Sequence, residues 1–248
     1  LKKDFSKATQ LQQKTAVTFS NLLELVAKSH SGIRIRFSTS NPQDMSLDVI
    51  KTMAKFSNIC NYIHLPVQSG SNSILKKMNR QHSREEYFEL INNIRNHIPD
   101  CGISHDIIAG FPSETEQDHL DTLSLMEFVK YDFGFMFAYS KRPGTLAAKK
   151  IENEITERTK KRRLNEIINL QRIHSEYRTS QFVGKTVCVL VEKSSKRSSE
   201  FWRGRTTQNT VAVFPKDNYE VGDFVDVKVE NATAATLMGT AIGISSSI

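Results

Sequence analysis

The sequence is poor in the features that would tie it to several common protein classes. It holds only three cysteines, Cys60, Cys101 and Cys188, far apart and odd in number. No C-x-x-C pair exists, so neither a zinc site nor a disulfide framework is indicated. Each cysteine sits in an apolar stretch, where a small buried core residue is the expected role, and no metal ligand is expected in this chain. Apolar runs are also short, and none reaches the roughly 18 residues needed to cross a bilayer. Leu1-Lys2-Lys3-Asp4 is followed by no apolar stretch of the kind a secretory signal carries. The start at Leu1 leads us to expect that the natural protein begins upstream. A cytoplasmic protein with no membrane partner is the resulting expectation. Internal repeats and long low-complexity segments are missing too. A hydrophobic fraction of 38% with 25% charged residues excludes a disordered chain.

What is present fits one large domain, or one domain with a small module, in 248 residues. The formal net charge of +7 permits a polyanionic partner, nucleic acid above all, although many soluble proteins are as basic. After about 16 polar residues that read as a loop, helices and strands alternate. Phe19, Leu22, Leu23 and Val26 mark a helix stripe, and Ile33 to Phe37 reads as a first strand. Ser46 can cap a helix that turns Leu47, Ile50 and Met53 inward. Tyr62 to Val67 is a second strand. Ser83 and Glu86 have capping-box spacing ahead of Leu90, Ile91, Ile94 and Ile98, and Ser113 and Glu116 have it again ahead of Leu120 and Leu123. Ile103 to Ala109 and Phe133 to Tyr139 are the third and fourth strands. This order favours a parallel α/β sheet.

The texture changes after Pro143-Gly144. Thr156 starts a long helix reaching about Arg178, whose Arg158, Lys160, Lys161, Arg162 and Arg163 form a basic run that reads best as a solvated face. From Gly184 the pattern becomes short strands: Val187 to Val191, Phe201 to Thr206, Val211 to Phe214 and Val225 to Val229. They predict a small β-barrel. The expected division is 1–180 for the α/β part and 181–248 for the barrel.

Ligands of parallel α/β folds bind at the C-terminal ends of strands, so the residues after each strand are the candidates. They are Ser38-Thr39-Ser40-Asn41-Pro42, Gln68-Ser69-Gly70-Ser71, Asp106 to Glu114, and Tyr139 to Gly144. All are polar or hold glycine, which lets a ligand approach the backbone. Gln68 and Asp106 offer acceptors for hydroxyls, and Arg80 offers a fork for a carboxylate. Together they suggest a pocket for a ligand with a diol and a carboxylate. Each also has a plain structural reading: Asp106 as a helix cap, Gly110 as a turn glycine, Arg80 as a surface residue.

Three strings carry a resemblance to a known family. They are His64-Leu65-Pro66-Val67-Gln68-Ser69-Gly70-Ser71 with Leu75, Met78, Asn79 and Arg80; Asp106-Ile107-Ile108-Ala109-Gly110-Phe111-Pro112-Ser113-Glu114-Thr115-Glu116; and Tyr139-Ser140-Lys141-Arg142-Pro143-Gly144-Thr145. The chain resembles the tRNA methylthiotransferases, radical S-adenosylmethionine enzymes, along nearly its whole length from Phe19. The resemblance implies an incomplete (β/α) barrel of about four strands followed by a TRAM domain, a small RNA-binding β-barrel. It implies S-adenosylmethionine contacts at Ser40, Gln68, Gly70, Arg80, Asp106, Gly110, Ala138 and Tyr139. Gln68 and Asp106 would lie by the ribose, Arg80 by the methionine carboxylate, and Ala138 and Tyr139 by the adenine.

The resemblance further implies two [4Fe–4S] clusters in the intact enzyme. Their ligands are not in this chain: the C-x-x-x-C-x-x-C motif is absent, and Cys60, Cys101 and Cys188 lack the spacing to replace it. In that enzyme a reduced cluster would cleave S-adenosylmethionine to a radical that abstracts hydrogen from C2 of a modified adenosine, and sulfur and methyl would follow. The sulfur donor is unknown. Pro66-Val67-Gln68-Ser69-Gly70-Ser71 sides with the branch acting on isopentenylated adenosine beside the tRNA anticodon. The branch acting on threonylcarbamoyl-adenosine and a non-catalytic RNA-binding protein are the alternatives. The partner would be the anticodon stem-loop, bound by a monomer. In the TRAM-like part, Lys193, Lys196, Arg197, Arg203 and Arg205 cluster around Trp202 with Glu200 as the single nearby acid, a mixture suited to single-stranded RNA. The alternative is a charged hairpin with Trp202 in the barrel core.

Overall fold

Apolar stripes at helical spacing lay four of the helices against a short parallel sheet, and a fifth, mostly polar at its contact face, seals it. The computed structural model describes residue 9 and residues 16–38, 41–141 and 155–246. Most of the expected N-terminal loop, and Pro143-Gly144, lie outside the described residues. Helix α1 (Phe19–Ser29) starts at a capping box between Thr18 and Asn21. A 3₁₀ turn (Pro42–Asp44) leads to α2 (Leu47–Lys55), capped by Ser46 as expected. Strand β1 (Tyr62–His64), α3 (Asn72–Lys77), α4 (Arg84–His97), β2 (Gly102–Ala109), α5 (Glu116–Val129), β3 (Phe133–Ala138) and α6 (Glu157–Ser180) follow. The sheet order is β1-β2-β3, all parallel. The core gathers Ile50, Met53, Ile63, Leu65, Ile94, Ile103 and Ile107 between sheet and helices.

Four expectations need correction. The strand expected over Ile33 to Phe37 is a single parallel bridge, Ile35 to Ile59, and the arginines on either side of Ile35 reach to the β-barrel described below. The strand expected over Tyr62 to Val67 ends at His64. Pro66 has no N–H to give the ladder, and pairing resumes only at Gln68 against Ile107. The capping box of α5 is Thr115 with Asp118, not Ser113 with Glu116: Thr115 Oγ1 accepts from the Asp118 amide, and Ser113 lies outside at φ 67°. The basic run of α6 is a solvated face only in part, at Arg158, Lys161 and Arg162. Lys160 and Arg163 are buried, and with Ile167, Gln171 and His174 they form the stripe that meets the sheet.

Those buried polar groups are paired. Arg163 Nη1 donates to Glu114 Oε2 (2.8 Å), with both side chains at most 5% exposed. His105 Nε2 and Gln171 Oε1 lie 2.8 Å apart, and Gln171 Nε2 donates to the Tyr131 carbonyl (3.0 Å). Arg178 Nε donates to Asp132 Oδ1 (3.1 Å), while Asp132 Oδ2 accepts from the Ile103 amide (2.7 Å). A buried donor left unpaired would cost about 1–3 kcal/mol, so these bonds hold the stripe against the cost of Arg163 Nε, His105 Nδ1 and His174 Nδ1, which are buried with no hydrogen-bond partner among the described residues.

Gly184, at φ 84°, turns the chain into the second unit. Strands β4 (Thr186–Ser194), β5 (Phe201–Arg205), β6 (Val211–Pro215), β7 (Phe224–Thr233) and β8 (Thr236–Ile244) close into a barrel in the order β4-β5-β6-β8-β7. Its interior is Val189, Val191, Ala212, Phe214, Val225, Val227, Val229 and Leu237. The two units are joined at the N-terminal ends of the parallel strands. Arg34 Nη1 donates to the Arg205 carbonyl (2.7 Å) and Nη2 to the Cys188 carbonyl (2.9 Å). The Arg34 guanidinium stands 5.0 Å from the centre of the Phe224 ring. Arg36 Nη2 donates to the Thr206 carbonyl (2.7 Å), and Gln208 donates to Asp100. At Gly102 a side chain would come within 2.6 Å of the Gln208 carbonyl, so only glycine lets the barrel approach.

Candidate functional site

Because the strands are parallel, their C-terminal ends share one edge, opposite the seam with the barrel. Gln68 is brought there by an irregular stretch. Its amide donates to the Asp106 carbonyl (2.8 Å), and the Ile108 amide donates to the Gln68 carbonyl (3.0 Å). Four steps from His64 to Gln68 are matched by three from Ser104 to Ile107, and Gln68 takes up the difference at φ 71°. Asp106 projects from the sheet face opposite the helices. His64 Nε2 is 3.5 Å from Asp106 Oδ1, and His64 Nδ1 meets Ser104 Oγ at 2.7 Å. Asp106 is no helix cap, which leaves its carboxylate facing outward for a ligand.

Gly70 has a packing role. Its amide donates to Thr122 Oγ1 (2.9 Å), and a Cβ would lie 2.5 Å from the Asp121 carbonyl of α5. The following turn is tied to the same helix: Ser71 and Ser73 hydroxyls donate to Asp118 Oδ1 at 2.5 and 2.7 Å. Burial pushes the Asp118 carboxyl up, but these hydroxyls and Thr115 outweigh it and hold the pKa down at about 2. Gly110, at φ 72°, has its amide on Glu114 Oε2 (2.8 Å) and the Lys160 stem above it. Burial pushes the Glu114 carboxyl up, against the pull of the Gly110 amide and Arg163.

Ala138 pairs with Ala109, and the Tyr139 amide donates to the Ala109 carbonyl (2.8 Å). The Tyr139 ring meets Phe111 edge-on at 5.1 Å. Ala138, Tyr139, Pro112 and Lys160 line a cavity of about 440 Å³ at this edge. The edge thus brings together Gln68, Asp106, Gly110, Ala138 and Tyr139. Arg80 follows α3, with its amide on the Leu75 carbonyl (2.9 Å), and is half-buried. Its side chain makes no hydrogen bond with Gln68 or Asp106 among the described residues. Ser40 lies outside the described residues.

S-adenosylmethionine fits what this edge offers: an outward carboxylate, a left-handed Gln68 and an adjoining cavity. An iron–sulfur cluster does not fit. Among the described residues, no group of three His, Cys, Asp or Glu side chains could hold a metal ion. Burial pushes the Cys60 and Cys101 thiols up, away from the thiolate form that a cluster needs. Cys188 is half-buried against Arg34. Sequence reasoning missed His64 and Arg163 as parts of the site. The alternation Tyr62/His64 beside Ser104/Asp106 was a signal for the first, and none existed for the second.

On the barrel, Lys193 faces Arg203 across the β4–β5 hairpin, and Lys196 and Arg197 lie exposed in its turn. Arg205 is not free: it pairs with Glu192 at 2.6 Å, a second acid beside Glu200. Trp202 is half-buried and packs on the barrel core. Lys216 Nζ stands 4.3 Å from the centre of its ring, and Trp202 Nε1 is buried with no hydrogen-bond partner among the described residues. The core alternative for Trp202 is therefore the better description of most of its surface. No helix among the described residues is long and apolar enough to cross a membrane.

Comparison with known proteins agrees with this two-unit layout. Residues 12–126 match the Radical SAM superfamily and residues 180–242 the TRAM domain. The tRNA-2-methylthio-N(6)-dimethylallyladenosine synthase of Christiangramia forsetii is 64% identical over 99% of this chain and 51% of its own length. The synthase of the same name from Flavobacterium johnsoniae is 59% identical over 99% of this chain and 51% of its own length. The chain thus spans about half the length of these relatives. Among solved structures, coproporphyrinogen III oxidase (HemN) from Escherichia coli, a Radical SAM enzyme, aligns over 83% of this chain and 50% of its own at 16% identity and a TM-score of 0.47. Both domain matches fall in this order on the observed α/β unit and closed barrel, so the chain is similar to the Radical SAM superfamily over residues 12–126 and to the TRAM domain over residues 180–242.

Proposed function

We propose that the chain is part of a tRNA methylthiotransferase that adds a methylthio group to C2 of N6-dimethylallyladenosine (isopentenyladenosine) next to the anticodon. The observation that carries this is the 64% identity over 99% of the chain to a synthase of that name. Residues 1–180 would supply one wall of the S-adenosylmethionine pocket, and 181–248 would hold RNA. Asp106 would accept from the ribose hydroxyls, with the Gln68 side chain beside it, and the turn at Gly110 and the strand end at Ala138 and Tyr139 would shape the adenine side. Arg80 would reach the methionine carboxylate from the turn after α3. When bound, S-adenosylmethionine supplies the hydrogen-abstracting group and the methyl group. Two [4Fe–4S] clusters would be held by residues outside this chain. The tRNA anticodon stem-loop would be the partner, Lys193, Lys196, Arg197 and Arg203 its phosphate contacts, and the protein a cytoplasmic monomer.

The test is to express the full-length protein in a bacterium lacking its own methylthiotransferase and to analyse tRNA nucleosides by mass spectrometry. The methylthiolated, prenylated nucleoside should appear with the unsubstituted protein. Asp106→Ala should weaken S-adenosylmethionine binding by roughly 1.5–3 kcal/mol, the worth of a hydrogen bond to a charged group. No new nucleoside from a folded protein would overturn the proposal, and unchanged S-adenosylmethionine affinity would remove Asp106 from the site.

A further inference from the structure

The two faces of the parallel sheet differ. One carries Ile103, Ile107 and Met136 and lies under the helices. On the other, residues in register point the same way: Ser104 with Phe133, Asp106 with Phe135, Ile108 with Phe137. Parallel sheets are normally covered on both faces. Here Phe135 is 51% exposed and Phe137 is 54% exposed, on the face that bears the candidate ligand carboxylate.

The exposed Phe135 ring is held in place rather than loose. Tyr62 stacks on Phe133 with ring centres 5.8 Å apart, Phe133 meets Phe135 edge-on at 5.9 Å, and His64 meets Phe135 edge-on at 6.0 Å. A flat apolar segment laid over this face would also strip water from the Asp106 carboxylate, which has His64 Nε2 3.5 Å away, and burying a carboxylate is costly. A small ligand with a polar part and an apolar tail meets both demands at once.

We propose that Phe135 and Phe137 form the apolar subsite for the branched five-carbon dimethylallyl substituent of the target adenosine, one strand away from the Asp106 position. This rests on the function proposed above and adds to it the residues that would tell a prenylated adenosine from a plain one. One methylene in an apolar pocket is worth roughly tenfold or more in discrimination, so a substituent of this size against a half-open wall should give a preference of at least about tenfold.

The experiment measures binding of the full-length protein to two anticodon stem-loop RNAs, one carrying N6-dimethylallyladenosine and one carrying adenosine at the same position. The unsubstituted protein should prefer the prenylated RNA at least about tenfold. Phe135→Ser and Phe137→Ser should each cut that ratio severalfold and leave the plain RNA bound as before, and Phe137→Leu should keep most of the ratio. Far-UV circular dichroism shows whether each variant folds, and the leucine variant carries the test if a serine variant does not: a folded Phe137→Leu protein that loses the preference would then oppose the proposal. Equal binding of the two RNAs by the unsubstituted protein, or a ratio that survives both serine substitutions, overturns the subsite alone. Substitutions that weaken S-adenosylhomocysteine but not the RNA ratio give the face to the cofactor and also overturn it. Absence of binding to either RNA overturns the functional reading beneath it.

Discussion

Asp118→Asn is the perturbation that most directly probes how the turn after β1 is held. The carboxylate is 8% exposed and accepts from Ser71, Ser73 and the Thr115 amide and hydroxyl, so it joins the start of α5 to the segment that carries Gln68 and Gly70. Its pKa is about 2 against an ordinary 3.8. At about 1.4 kcal/mol per pH unit, the difference corresponds to roughly 2 kcal/mol of stability from the ionised form. The folded value lies below the unfolded one, so this contribution is complete above the unfolded pKa and is lost as pH falls through the folded one. Asparagine keeps the shape and removes the charge. The assay is urea unfolding followed by far-UV circular dichroism, which reports the helices. Fluorescence of Trp202, the only tryptophan, follows the barrel separately. Asp118→Asn should lose about 2 kcal/mol at pH 7, and the gap to the unsubstituted protein should close near pH 2. Equal stability at pH 7, or a gap that persists undiminished at pH 2, would refute the reasoning.

Removing Arg34 should uncouple the two units: Arg34→Ala deletes the charged hydrogen bonds to the Arg205 and Cys188 carbonyls, at about 1.5–3 kcal/mol each, and a single calorimetric transition should split in two. Gly110→Ala places a side chain at φ 72° against the Lys160 stem and should cost at least about 1 kcal/mol in a thermal melt, whereas Gly222→Ala, with open space around it, should cost only its backbone strain. Arg203→Ala should weaken tRNA binding and lower the slope of affinity against salt by about one, as one phosphate contact is lost; an unchanged slope would make that arginine a bystander. Trp202→Ala should lower the barrel's melting temperature first, because the ring packs on the core, and a binding loss without a stability loss would argue for base stacking instead.

Much of the fold was legible in the sequence, and the exceptions share a cause. Ser46, Ser83 and Thr156 cap helices where expected, because a cap is a local hydrogen bond written within three residues. The cap at Thr115 was misplaced by two residues because Ser113 with Glu116 has equally good spacing, and only the backbone turn at Ser113 decides between them. The inward face of α6 was unreadable by hydrophobic period, since Lys160, Arg163, Gln171 and His174 are polar, and mates of the last three come from distant segments. Gln68 and Asp106 could be placed at the C-terminal edge of the sheet because strand ends can be read from strands. That Gln68 adopts a left-handed backbone follows from Pro66 interrupting a ladder whose register depends on β2. Trp202 looked like an exposed platform because basic residues surround it in sequence, yet the barrel's alternation turns it inward.

The seam between the units has a bearing on how such a protein can diversify. Arg34 and Arg36 grip carbonyl oxygens of residues 188, 205 and 206, and a carbonyl is the same whatever side chain its residue bears. Lineages could therefore rewrite the barrel's outward residues, apart from Cys188, Gln208 and Phe224 whose side chains also meet the seam, to suit a different RNA while keeping these carbonyl contacts. A barrel transplanted from a relative should dock on this α/β unit wherever its backbone follows the same path.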